Sequence, residues 1–233
     1  MNNAATQVDD VLAACAALAS AGLGDMIWGH PSVRDLEGRG VWMKTAGFGF
    51  EEINNEHVVL VSWSGEVLAG SGRRHLEYPI HTQIYRARPD VNAVVHTHAP
   101  AFAAFASLDV PLHPLSHDAV PFTEPPLPRL TTVTGSLIAT AELGNSVADS
   151  LGLSNGILLP SHGAVTVGPD VASAVMYSVL LERACRTELV ALAAGGAKIW
   201  SSETETASKR DEVWNSAQLE AGFRYLVRSA VAR

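Results

Sequence analysis

The run Ala93-Val94-Val95-His96-Thr97-His98-Ala99-Pro100 constrains the fold of this chain more than any other stretch. Residues 93–98 alternate as a buried strand does, and side chains two apart on a strand project from one face. Two imidazoles on one strand face have the geometry of metal ligands. They need a third ligand from elsewhere in the fold, and a catalytic cation keeps one position open for water or substrate. His162 is the candidate, because it follows the apolar run Gly156-Ile157-Leu158-Leu159-Pro160 and precedes Gly163, where a strand turns sharply toward a cleft. The pair also fits a hydrogen-bonded couple at a sheet margin, and the three histidines argue for a metal centre without naming a reaction.

A length of 233 residues with 47% hydrophobic content suits one domain, spanning 1–233, with a C-terminal helical arm from about residue 206. The net charge of -8 and pI near 5.5 provide no basic patch for a phosphate backbone, so nucleic acid is not an expected partner. Anionic small molecules must then be captured by local positive charge. Cys15 and Cys185 lie in apolar helical patterns without framework spacing and read as buried free thiols, which fits a reducing cytoplasm. Residues 1–20 lack a basic leader, and no apolar run reaches the ~18 residues that span a bilayer, so a cytoplasmic protein without membrane association is expected.

Along the chain, Asp9-Asp10 opens an alanine-rich helix that stops at Gly22 and Gly24. Ser32-Val33-Arg34 and Val41-Trp42-Met43-Lys44 read as a strand pair joined through Glu37-Gly38-Arg39-Gly40. Thr45-Ala46-Gly47-Phe48-Gly49 is a glycine-rich turn suited to presenting backbone N–H groups to an anion, or to plain loop chemistry. Val58 to Val61 is a short buried strand. A helix is expected from Arg73 to about Arg88 with Pro79 in its first turn, which puts the Glu77 carboxylate at the positive end of the helix dipole. His113 and His117 flank Pro114 and read as loop residues. Helices are expected over 135–151 and from the Asp170 cap to Gly195-Gly196. The tail carries Val213, Trp214, Leu219, Phe223, Tyr225 and Leu226 on an apolar face that docks either on a neighbouring subunit or within the chain.

Read in order, Gly29-His30-Pro31-Ser32-Val33-Arg34, Lys44-Thr45-Ala46-Gly47, Glu77, His96-Thr97-His98 and Ser161-His162-Gly163 resemble the class II aldolase/adducin family over roughly residues 8 to 225. The resemblance implies an α/β fold, a three-layer α/β/α sandwich around a largely antiparallel central sheet. It also implies a homo-oligomer, usually a cyclic tetramer, with a divalent metal (manganese, zinc, cobalt or iron) on His96, His98 and His162, and with Glu77 as catalytic acid/base.

The family's aldolases hold the substrate phosphate with a Gly-Asn turn, a Thr-Gly turn and a Ser-Ser pair. The matching positions here are Gly29-His30, Ala46-Gly47 and His75-Leu76, so a sugar phosphate loses several hydrogen bonds. The stretches 24–30, 44–50 and 73–81 resemble instead a decarboxylase branch. Its members act on 3,4-dihydroxyphthalate or on the hydroxy-methylpyridine dicarboxylate of vitamin B6 breakdown. The resemblance thus implies a metal-dependent carboxy-lyase for a small ortho-hydroxylated aromatic dicarboxylate, with His30, Thr45, Gly47, Arg74 and His75 contacting substrate. The alternatives are a sugar-phosphate aldolase or epimerase of the same family and a non-catalytic adducin-like interaction module.

Overall fold

The computed structural model describes residues 3–133 and 135–231. Seven strands form one sheet: β1 (His30–Arg34), β2 (Gly40–Lys44), β3 (Val58–Ser62), β4 (Val67–Ala69), β5 (Ala93–Thr97), β6 (Gly156–Leu159) and β7 (Gly163–Gly168). They lie in the order β4-β3-β2-β1-β5-β7-β6, every neighbouring pair antiparallel. The helices are α1 (Asn3–Ser20), α2 (Tyr78–Ala87), α3 (Pro100–Ala106), α4 (Ala141–Leu151), α5 (Val171–Ala193), α6 (Glu203–Val213) and α7 (Ser216–Val231).

Strand alternation feeds two separate cores. Val33, Trp42, Val58, Leu60 and Val95 face α1, α3, α5 and α7, whereas Val41, Met43, Val59, Val61, Val94 and Val165 face α2 and α4. Because both faces are covered, the central strands read as continuous apolar runs, and the expected three-layer sandwich is the observed one. Within the chain, α7 packs on α1 and α5 and buries Leu219 and Phe223, while Tyr225 stays exposed. Among the described residues, no helix is long and apolar enough to cross a membrane.

Two helices begin later than expected. α2 starts at Tyr78 rather than Arg73, because Pro79 lacks an N–H and is accommodated only in a first turn. α4 starts at Ala141 behind Thr140, whose hydroxyl accepts the Leu143 N–H at 3.3 Å. The segment before it stays extended, which frees the Ile138 N–H for the site described below.

The β1–β2 hairpin is tied by Asp35, a side chain the sequence does not single out. Its carboxylate accepts from the Arg39 N–H (3.0 Å), Arg39 Nε (2.9 Å), Arg39 Nη2 (2.8 Å) and the Trp42 indole (2.9 Å). The hydrogen bond from Arg39 is the main reason its pKa falls to about 2, against the opposing effect of burial. A depressed carboxyl contributes stability above its ordinary value and loses it as pH falls through the folded one. Asp35→Ala is expected to cost about 2 kcal/mol at neutral pH, the worth of a charged hydrogen-bond cluster. In urea unfolding the gap to the parent protein should narrow between pH 4 and 2 (roughly the window set by the two values).

Candidate functional site

The antiparallel register gathers three distant segments at one end of the sheet. His30 pairs directly with His96 across β1 and β5, and Thr97 pairs with Ala164 across β5 and β7. His96 points to the α2 side, as its neighbour Val94 does. β5 ends at Thr97, one residue short of the expected strand, so His98 is placed by the chain just beyond it.

His162 sits in the tight connection between β6 and β7. Ser161 before it adopts a left-handed φ of +59°, a conformation L side chains seldom take. A Cβ on Gly163 would lie 2.3 Å from the Thr97 carbonyl, so only glycine lets this turn close against β5. The result is a compact triad: ring centroids lie 4.5 Å apart for His96 and His98, and 5.0 Å for His162 with either.

Glu77 occupies the residue just before α2 and completes the group. Its Oε1 accepts the Ile138 N–H at 2.8 Å and lies 3.4 Å from His162 Nε2, while Oε2 lies 3.4 Å from His96 Nε2. One ligand atom from each of Glu77, His96, His98 and His162 falls within 4.8 Å of the others.

The donor set fits a divalent cation. His96 Nδ1 donates to the Ala164 carbonyl at 2.9 Å, which fixes the tautomer and leaves Nε2 as a fully buried nitrogen without a hydrogen-bond partner. His98 Nδ1 is 2.7 Å from Asp25 Oδ2, so its Nε2 is free to act as a ligand, in the carboxylate–histidine arrangement that orients imidazoles on metals. Asp25 lies in a glycine-flanked loop 73 residues from its partner, and no local pattern marks it.

Burial dominates the electrostatics. It lowers His98 to about 4, helped by His96 and His162 and opposed by Asp25. His75 falls to about 3 by burial and the nearby Lys44, and burial holds His30 well below its ordinary value. Burial alone would raise the Glu77 carboxyl, yet the imidazoles of His162 and His96 beside it outweigh burial and hold Glu77 well below the usual carboxylate range. Glu77 therefore rests as an anion beside the three imidazoles.

A cavity of about 660 Å³ opens beside this cluster, lined among others by Trp28, His30, Gly47, Arg73, His75 and Leu137. Of the expected substrate contacts, His30, Gly47, Arg74 and His75 line it, and Gly47 needs its φ of +98° rather than any lack of space. Thr45 does not line it. Its side chain is buried under the turn, and its carbonyl accepts from Lys44 and His75. Arg74 reaches the rim with a committed guanidinium, bonded to the Gly65 and His75 carbonyls and stacked 4.2 Å over the Tyr78 ring. Arg73 is the exposed arginine of the pair.

Lys44, fully buried, joins the walls: Nζ donates to the carbonyls of Ile27 (3.1 Å), Thr45 (3.3 Å) and Phe48 (2.6 Å). Burial brings it down to about 8. His113 is held by Glu188 at 2.9 Å and takes no part in the cluster.

A family model described as the class II aldolase and adducin N-terminal domain matches residues 9–189. The chain belongs to this family. Among solved structures, the L-fuculose 1-phosphate aldolase from Glaciozyma antarctica PI12 superposes with a TM-score of 0.85 at 27% identity, covering 98% of this chain and 89% of that one. A 4-hydroxy-3-prenylphenylpyruvate oxygenase/4-hydroxy-3-prenylbenzoate synthase from Streptomyces roseochromogenus subsp. oscitans is 36% identical over 159 residues, 67% of this chain. The match spans only 57% of that relative's length. A 3,4-dihydroxyphthalate decarboxylase from Arthrobacter keyseri is 30% identical over 203 residues, 79% of this chain and 78% of its own. Relatives of this family member thus include decarboxylases as well as sugar-phosphate aldolases.

Proposed function

We propose that this family member is a divalent-metal-dependent decarboxylase of a small ortho-hydroxylated aromatic dicarboxylate. The observation that carries the proposal is the Glu77–His96–His98–His162 cluster opening on a cavity walled by imidazoles, an indole and an exposed arginine. Flat rings stack on such walls, and carboxylates pair with guanidinium. The relatives named for hydroxylated aromatic acids point the same way.

His96, His98 and His162 would hold the cation, which when bound supplies Lewis acidity toward an oxygen that gathers negative charge. Glu77, an anion at rest, accepts the proton leaving the ring hydroxyl. It then returns that proton to the ring carbon bearing the carboxylate. The carbon–carbon bond breaks, its electron pair restores the aromatic ring, carbon dioxide departs, and the phenolate regains a proton from solvent. Arg73, the exposed arginine of the cavity lining, holds the second carboxylate in this scheme.

The test is carbon dioxide release from a panel of hydroxylated aromatic dicarboxylates, with added manganese, cobalt, zinc or iron, in air and under argon. Equal release under both atmospheres is expected. Release only in air would replace this reading with an oxidative one. No release, combined with retro-aldol cleavage of a ketose 1-phosphate, would favour the aldolase reading that the coverage of the Glaciozyma enzyme supports.

A further inference from the structure

His30 has two ring nitrogens, and only Nε2 is left for the cavity. Nδ1 lies 2.8 Å from His81 Nε2, and His81 Nδ1 lies 2.6 Å from Ser32 Oγ. Ser32 Oγ is 2.9 Å from the Tyr85 hydroxyl, which in turn donates to the Ser32 carbonyl at 2.9 Å, with the Asn92 carbonyl at 3.5 Å. The strand alternation that places His96 on the α2 side also places His30 and Ser32 there, and α2 supplies His81 and Tyr85 one and two turns after Glu77. None of these four side chains is more than 1% exposed.

All four groups are buried without a charged partner in the chain of contacts, and burial holds His81 well below its ordinary value and Tyr85 well above its own, so this chain of groups is neutral. Four protons must then be shared so that each link holds one. In one arrangement every proton points inward: His30 to His81, His81 to Ser32, Ser32 to Tyr85, and Tyr85 to the carbonyl. His30 Nε2 is then a bare acceptor. In the opposite arrangement every proton points outward, Nε2 carries N–H, and the bond from Tyr85 to the carbonyl is lost. The inward arrangement makes one more buried hydrogen bond and is favoured.

We infer that His30 Nε2 faces the cavity as a hydrogen-bond acceptor, that it takes a hydroxyl of the substrate rather than a carboxylate, and that Tyr85, through Ser32 and His81, holds it in that state. The inference rests on the proposed substrate class for the hydroxyl, though not for the proton arrangement. It divides recognition in two: Arg73 takes the anion and His30 a ring hydroxyl. His81, Ser32 and Tyr85 are positioning residues in this division, since none of them touches the ligand.

The test reads the tautomer directly. Zinc-loaded protein with 15N-labelled histidine should show His30 protonated at Nδ1, its signals identified by their loss in His30→Gln. In Tyr85→Phe, the Ser32 hydroxyl loses its inward acceptor and turns to His81 Nδ1, so His30 should switch to the Nε2–H form. The Kd of a dihydroxylated aromatic dicarboxylate should rise about ten-fold, the worth of one hydrogen bond. The analogue lacking the bound hydroxyl should bind both proteins alike. An Nε2–H tautomer at His30 in the parent protein would overturn the inference, and that measurement needs no variant to fold. Retention of Nδ1–H in folded Tyr85→Phe would remove Tyr85 from the role. Parent spectra as expected, together with no carbon dioxide from the panel above, would uphold the proton arrangement and count against the substrate reading alone.

Discussion

Glu77→Gln is expected to lower turnover by about 10²–10⁴-fold, the usual contribution of one well-placed acid/base, while the protein keeps its fold and its metal. The amide retains a carbonyl oxygen for the Ile138 N–H, so the local structure has no reason to collapse. What the amide cannot do is accept a proton from the ring hydroxyl and return it to carbon. Rate and metal content should be measured on the same samples. A rate loss that tracks a fall in bound metal would make Glu77 a ligand instead of a proton carrier. Near-parental turnover would remove it from the chemistry.

His98→Ala is expected to strip the metal, with less than a tenth of the parental content by elemental analysis (roughly the lower bound for losing one of three ligands) and activity falling with it. Of the three histidines, His98 is the cleanest probe, because it lies beyond the end of β5 and its removal leaves the sheet ladder intact. Asp25→Asn makes a graded companion. It keeps an oxygen near His98 Nδ1 but loses the charge, and orienting carboxylates of this kind typically contribute about 10–100-fold in metal affinity. Full metal occupancy in His98→Ala would dismantle the site as drawn.

Much of this fold was legible in the chain because the signals are local. Apolar runs at 58–61, 93–97 and 156–159 became strands, and the Asp170 cap opens α5, with its carboxylate accepting the Ser173 N–H at 2.7 Å. The charged stretch from Arg73 to Glu77 has helix-forming residues but stays outside α2, because a helix begun at Arg73 would carry Pro79 beyond its first turn. The two adjacent arginines are alike in the sequence and both line the cavity, and only tertiary contacts tell them apart: the Tyr78 ring and the Gly65 carbonyl engage Arg74, whereas Arg73 stays exposed.

The sequence by itself determined the strand and helix periods, the residue types able to bind a cation, and the ordered motifs that match the class II aldolase family. Those properties depend on neighbours within a few positions, where backbone geometry is fixed. Only the tertiary structure decided that Asp25 backs His98, that Ile138 holds Glu77, that Thr45 supports the cavity wall instead of lining it, and that His30 ends a proton chain reaching Tyr85. Each of these depends on sheet register and on a helix laid across it. Hydrogen bonds between residues tens of positions apart leave no periodic trace in the chain that makes them.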